Sequence, residues 1–309
     1  ATLQKAAEKD LLVYDIMTER FEITTILQKR LSESKEVFGG LVDGTHEEPA
    51  ITKESVHHFF KYVSGKPLQR PAWFFDVKQE GEAIADVGTH LVDLVLWEAF
   101  PGDVPDFEND VEILQSMRWP TSLDIDQFGK VTGMNTYPSY LAPYVRNDTL
   151  YAVSNSSVDL RIRGKHARVS VEWAFQAPEG AGDTHYSIMR GQKCDLIIRQ
   201  GKHEKYRPEL YVKSHANSNI GSLSDALENI LEEDLREQWP GLSLEHQEAG
   251  LWRIIIPDKY REGHEAHFAR VTGQFLEYLE QGYVQQWELD QMLTKYHITT
   301  MAVAMAEDR

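Results

Sequence analysis

Gly81–Trp97 reads GEAIADVGTHLVDLVLW, and its spacing predicts a helix running from about Glu82 to Phe100. On a helix Asp86, His90, Asp93 and Trp97 follow at i, i+4, i+7 and i+11 and share one stripe. Ile84, Val87, Leu91, Leu94 and Val95 make a broad apolar face around the rest. Such a helix is largely buried with one polar seam. Two carboxylates and an imidazole are costly there unless they pair or line a cavity. Carboxylates one turn away on either side favour the imidazolium, which suits a histidine that exchanges a proton with a substrate hydroxyl. Helical spacing alone favours a satisfied structural network that caps or crosses helices. Gly88, inside the helix at a cost of about 1 kcal/mol relative to Ala, asks for a close approach by a ligand or another backbone.

Working outward, Thr2–Asp10 reads as the end of an amphipathic helix, and Leu11–Asp15 (LLVYD) as a short buried parallel strand. Thr18–Leu31 carries Phe21, Ile23, Ile26, Leu27 and Leu31 at helical spacing and reads as one amphipathic helix. Phe38–Pro49 is loop-like, His57-His58 suits a helix surface, and Trp73–Val77 suits a strand. Beyond Asp110 the texture becomes β. Val111–Trp119, Thr149–Val153, Val158–Arg163, Ala167–Phe175, Thr184–Arg190, Cys194–Arg199 and Glu209–Lys213 are separated by turn residues. In Arg168–Trp173, Val169, Val171 and Trp173 alternate with Arg168, Ser170 and Glu172, as in an antiparallel strand wet on one face. Helices are predicted at Ser222–Gln238, His264–Gln281 and Trp287–Ala306. The expected fold class is α+β: an open antiparallel sheet flanked by helices, with an α/β remnant at the N-terminus. The expected division is 1–40 as that remnant and a crossover helix, 41–285 as the sheet domain, and 286–309 as a helix packing back toward the N-terminal part.

The 309 residues include 32 Lys and Arg against 49 Asp and Glu, a net charge of −17. So acidic a surface argues against nucleic acid and anionic membranes as partners, and no apolar run reaches the ~20 residues of a membrane helix. Cys194 is the single cysteine, which excludes an internal disulfide and a cysteine-based zinc cluster. A cytoplasmic location is favoured and an exported form is left open, because the chain opens on Ala1 in the middle of a predicted αβ unit.

The pattern Gly81-…-Asp86-x-Gly88-x-His90-x-x-Asp93 resembles the second-domain signature of the glucose–fructose oxidoreductase / inositol dehydrogenase (Gfo/Idh/MocA) family. Leu11–Arg20 is similar to that family's last dinucleotide-domain segment, and Met292–Ala304 to the terminal helix of a bacterial branch of oxidoreductases. The resemblance implies a Rossmann domain followed by an open antiparallel sheet domain, NAD or NADP as cofactor, and a sugar or polyol as substrate. It implies Asp86 as the substrate-positioning carboxylate, His90 as the proton-transfer residue, and a homo-oligomer joined through the sheet face. Two features depart from the family pattern. No G-x-G-x-x-G occurs, and the Glu-Lys-Pro motif is missing, Gly65-Lys66-Pro67 lying in the wrong place. The resemblance places both in a dinucleotide-binding domain of ~100–150 residues upstream of Ala1.

Asp93, Asn135, Tyr137 and His185 are the further substrate-binding candidates, and surface or core roles fit each as well. His264-Glu265-Ala266-His267 is one residue short of the HExxH zinc motif, so no metal is expected there; its histidines suit a cleft-facing first turn or simple exposure. Two other readings stand beside the oxidoreductase: a non-catalytic carbohydrate-binding or scaffold protein, and a metal-dependent hydrolase or lyase using Asp86, His90 and His185.

Overall fold

In the computed structural model, which describes residues 2–63, 65–216 and 218–307, the chain order is α1 (Thr2–Ala7), α2 (Ile23–Glu33), β1 (Ile51–Phe60), β2 (Tyr62–Val63), β3 (Lys66–Pro67), α3 (Val77–Glu80), α4 (Val87–Ala99), β4 (Val111–Asp124), α5 (Ile125–Thr132), β5 (Val145–Arg146), β6 (Thr149–Ile162), β7 (Lys165–Gln176), β8 (Thr184–Arg190), β9 (Cys194–Arg199), β10 (Glu209–Ser214), α6 (Ile220–Asn229), β11 (Ser243–Glu248), β12 (Leu251–Ile255), α7 (His264–Gln281) and α8 (Gln286–Glu307). The main sheet runs β11-β12-β10-β9-β8-β1-β7-β6-β4, with β5 beside β6. Only β1 and β7 pair in parallel; every other neighbouring pair is antiparallel. The fold is α+β, an open and mostly antiparallel sheet flanked by helices. No helix among the described residues is long and apolar enough to cross a membrane.

The alternation along β7 sends Val169, Val171 and Trp173 to the helix-covered face, where α4 packs across β1 and β7. A second core lies under α2 and α6, built on Met189, Leu196, Ile198, Leu210 and Val212 of β8–β10. The opposite face carries a much smaller apolar cluster of Ile188, Ile197 and Tyr211, flanked by Tyr186 and Leu251. The helices therefore cover one side of the sheet, and α4 lies across its middle strands.

β1 corrects the helical reading of His57-His58. Its sequence ITKESVHHFF hides a buried strand because Lys53 points to the helix side. Its ammonium donates to Glu98 of α4 at 2.6 and 2.7 Å and to Gln28 of α2 at 3.1 Å. Trp73–Val77 is likewise not a strand. A 3-10 turn, Ala72–Phe75, leads into α3, whose Asp76 cap accepts from the Lys78 amide at 3.1 Å. Thr18–Leu31 splits into a 3-10 turn, Thr18–Phe21, and α2, with Glu22 capping the latter. Leu11–Asp15 forms no strand and Leu11 is exposed; a parallel strand needs a ladder partner, and none among the described residues pairs with it. Thr149–Val153 and Val158–Arg163 are parts of the single strand β6. The predicted helix Ser222–Gln238 stops at Asn229 and passes into a π turn, Ile230–Asp234. β11 and β12 were not anticipated.

Candidate active site

Helix α4 starts at a cavity. Asp86 is its N-cap, but its carboxylate makes no capping bond and lines a cavity of about 710 Å³. An N-cap aspartate normally accepts from the first-turn amides, worth about 1 kcal/mol. Leaving that bond unmade frees both oxygens for a ligand. Gly88 is explained by backbone: a Cβ there would stand 2.9 Å from the Ala83 carbonyl oxygen, which also accepts from the Gly88 amide at 2.8 Å. The tight turn before α4 thus requires glycine, and it aims Asp86.

His90, one turn on, lines the same cavity. Its Nδ1 is 2.6 Å from Glu19 Oε2, on the 3-10 turn that precedes α2. Burial opposes the imidazolium, but the hydrogen bond and charge of Glu19, with Asp93 and Asp86 behind them, raise His90 above its usual value; Glu19 is held below its own. A carboxylate on Nδ1 fixes the tautomer and leaves Nε2 as the exchangeable nitrogen. Burial raises Asp86, partly offset by His57, His90 and Arg70.

The opposite wall comes from the sheet. Ser55 and His57 of β1, Trp173 of β7 and His185 of β8 project into the cavity beside Arg70 and Phe74. His57 stacks on Trp173 with ring centroids 4.9 Å apart; its Nε2 lies 2.7 Å from Ser55 Oγ and its Nδ1 3.1 Å from Asp183. Burial disfavours the Asp183 carboxylate, yet bonds from His57, His58 and Lys61 hold it well below the usual range. Ser55 sits mid-strand between β7 and β8, so this chain orients the His57 ring against Trp173. Arg70 donates to the Phe59 and His58 carbonyls at 3.2 and 3.3 Å, and its guanidinium lies over Phe74 and Trp173 at 4.4 and 4.8 Å. His185 is pushed down to about 3, first by burial and then by Lys53, and its buried Nε2 has no partner among the described residues.

The other predicted residues lie elsewhere. Asp93 is fully buried and does not line the cavity. Arg20 grips both its oxygens at 2.6 and 2.7 Å, and Lys295 and Gln291 donate at 3.2 and 3.1 Å. Its expected contact with substrate gives way to a core role. The Tyr137 hydroxyl lies 3.1 and 3.2 Å from the Leu123 and Asp148 carbonyl oxygens, which share its one hydrogen, and its ring packs on Phe128, clipping the end of β4 to the start of β6. Asn135 is exposed in the loop after α5. Neither lines the cavity. His264 and His267 do, from the first turn of α7. Among the described residues no group of three or more His, Cys, Asp and Glu side chains is gathered as a metal ion would require.

Residues 27–307 match the protein family described as "Putative oxidoreductase C terminal domain". A crystal structure described as a "putative oxidoreductase" from Parabacteroides merdae is 47% identical, with a TM-score of 0.96, over 99% of this chain and 70% of that one. This chain belongs to that oxidoreductase family, of the Gfo/Idh/MocA type. More distant structures share the fold. The transcriptional regulator Gal80p of Kluyveromyces lactis has a TM-score of 0.60 at 11% identity, over 99% of this chain and 64% of that one. A "putative nadph-dependent oxidoreductase" from Desulfitobacterium hafniense has a TM-score of 0.50 at 11% identity, over 99% and 66%. A search of curated proteins returns no match.

Within the family frame, Glu19, Arg70, His57 and Trp173 are among the site residues that sequence reasoning missed. Glu19 stands 71 positions from His90, and no local pattern announces such a pairing.

Proposed function

We propose that this protein is a dehydrogenase acting on a hydroxyl-bearing carbon of a sugar or polyol, with His90 as the acid–base. The observation that carries the reading is the Glu19–His90 pair at 2.6 Å in a cavity that Asp86 also faces. In the oxidising direction the neutral His90 Nε2 accepts the substrate hydroxyl proton as the carbon gives up hydride; the reverse direction returns that proton. Glu19 holds Nδ1–H and stabilises the imidazolium that forms. The free Asp86 carboxylate accepts from a neighbouring hydroxyl, and His185 offers a neutral ring nitrogen to another. Trp173 and Phe74 supply apolar surface for the carbon face of the ring.

NAD or NADP is the electron carrier this reading implies, and the D. hafniense relative is described as NADPH-dependent. Among the described residues that line the cavity there is no glycine turn, and the one guanidinium, Arg70, is already held by the Phe59 and His58 carbonyls and the Phe74 and Trp173 rings, so they do not fit a dinucleotide diphosphate, which needs backbone amides at a glycine turn or a free phosphate-binding cation. The cavity fits the substrate. His90→Asn in the intact protein is expected to lower kcat by a factor of about 10² or more while sugar binding stays measurable and the melting temperature holds. Turnover at the wild-type rate would overturn the assignment. A non-catalytic carbohydrate-binding role is the second reading, favoured by a regulator sharing this fold. Sugar binding without turnover under any nicotinamide cofactor would establish it.

A further inference from the structure

The ring nitrogen of His267 is an anomaly. The residue is 5% exposed, lines the cavity, and its Nε2 has no hydrogen-bond partner among the described residues. The Glu22 carboxylate stops 4.0 Å short of it. Buried polar side-chain atoms are nearly always paired, so an unpaired one on a residue that lines a cavity points to a partner that arrives with the ligand or as water. Burial lowers the proton affinity of His267, so it meets a ligand as a neutral imidazole. It stands in the first turn of α7, which begins at Gly263 without a side-chain cap. His264 and the exposed Phe268 line the cavity beside it, their rings edge to face at 4.9 Å. The space also continues. Glu22, Pro208 and Glu262 line both the main cavity and a neighbouring hollow of about 390 Å³ bounded by Arg207, Asp258 and Arg261.

Resting on the sugar or polyol reading above, we propose that the first turn of α7 and Glu22 form a second subsite, which binds the unit attached to the reacting sugar, so that the ligand is a neutral disaccharide or glycoside. The volume supports this: about 710 Å³ falls in the upper half of the ~300–1,000 Å³ that holds drug-sized ligands, and the adjoining hollow extends it. Charge sets the neutrality. Glu19, Glu22, Asp86 and Glu262 line the cavity against the single guanidinium of Arg70, and in the adjoining hollow Arg207 and Arg261 are already paired with Asp258 and Glu209 at 2.8 Å each, an arrangement that accepts hydroxyl hydrogens and repels phosphate or carboxylate groups. Phe268 offers an apolar face of the kind that stacks on a sugar ring.

The test is calorimetric titration of the intact protein with paired sugars: glucose against maltose and cellobiose, and galactose against lactose. At least one disaccharide is expected to bind about tenfold tighter than its monosaccharide, a difference of about 1.4 kcal/mol. In His267→Leu that advantage is expected to fall to about threefold or less. Should His267→Leu melt early, Glu22→Gln, which keeps an acceptor oxygen for the Thr24 amide, is expected to shrink the same ratio. Equal affinity within every pair, an advantage that survives both substitutions, or tighter binding of glucose 6-phosphate than of glucose overturns the subsite and leaves the His90 assignment standing. If no member of any pair binds, the sugar reading falls and the subsite with it.

Discussion

Asp86 caps the start of α4 and Asp93 lies within it, seven positions on, in opposite circumstances. Asp93 has no exposed surface, and four donors from three side chains hold it: two from Arg20, one each from Lys295 and Gln291. Burial resists its charge, but Arg20 and Lys295 prevail and keep it well below the usual carboxylate range. The Asp86 carboxylate has no hydrogen-bonded partner among the described residues, and burial raises its pKa. One carboxylate is consumed in joining α4 to α8 and to the turn before α2. The other is left for a ligand. The helical pattern of the sequence marks both, and only tertiary partners tell them apart.

The largest expected effect comes from breaking the consumed end. Asp93→Ala leaves Arg20 and Lys295 uncompensated in the core and is expected to cost about 3–5 kcal/mol in urea unfolding; a loss under about 1 kcal/mol would show that the network is not structural. The same linkage gives a pH signature. A depressed folded pKa means that Asp93 stabilises the fold above its unfolded value of 3.8 and that this contribution is lost as pH falls toward the folded value. Stability should therefore decline on acidification in the wild type and less steeply in Asp93→Ala.

Lys53 and Glu98 sharpen the comparison, since both are buried at 0% and 2% exposure. Lys53→Met alone strands Glu98 and is expected to cost about 3–5 kcal/mol, whereas Lys53→Met with Glu98→Leu is expected to recover most of it. Equal losses in the single and double variants would contradict a simple charge pair and implicate Gln28 and Ser187, which bond to each other at 2.7 Å beside it. Asp86→Asn is the mirror experiment. Its stability is expected to stay within about 0.5 kcal/mol of wild type while substrate binding weakens by about 1.5–3 kcal/mol, the range for hydrogen bonds to charged groups. A destabilised Asp86→Asn with unchanged binding would reverse the assignment. The smallest effect concerns assembly. We propose that the sheet face bearing Tyr186, Ile188 and Tyr211 joins two copies; light scattering after size exclusion should give twice the chain mass, and a clean monomer at high concentration would contradict it.

Much of the architecture was legible where side chains obey a period. The strands Thr184–Arg190 and Cys194–Arg199 and the helix His264–Gln281 have the expected bounds. Reading failed where tertiary partners override the pattern. β1 looks too polar for a central strand until Glu98 is seen to neutralise Lys53. Trp73–Val77 looks like a strand because aromatic residues favour sheets, yet Phe75 enters a ring cluster with Phe59, centroids 5.1 Å apart, from a 3-10 turn. The site was half legible for the same reason. Asp86 and His90 announce themselves through a shared helix, whereas Glu19 reaches His90 only through the fold.

That last pair supports the most direct measurement, the pH dependence of kcat/KM for substrate oxidation in wild type and Glu19→Gln. The reaction needs neutral His90, so the rate should rise with pH through a His90 pKa that Glu19 holds above its usual value of 6.5. Removing the Glu19 charge leaves burial dominant, and the acid limb of the profile should move to lower pH with a reduced plateau. An acid limb that stays in place would contradict the claim that the Glu19–His90 pair performs the proton transfer.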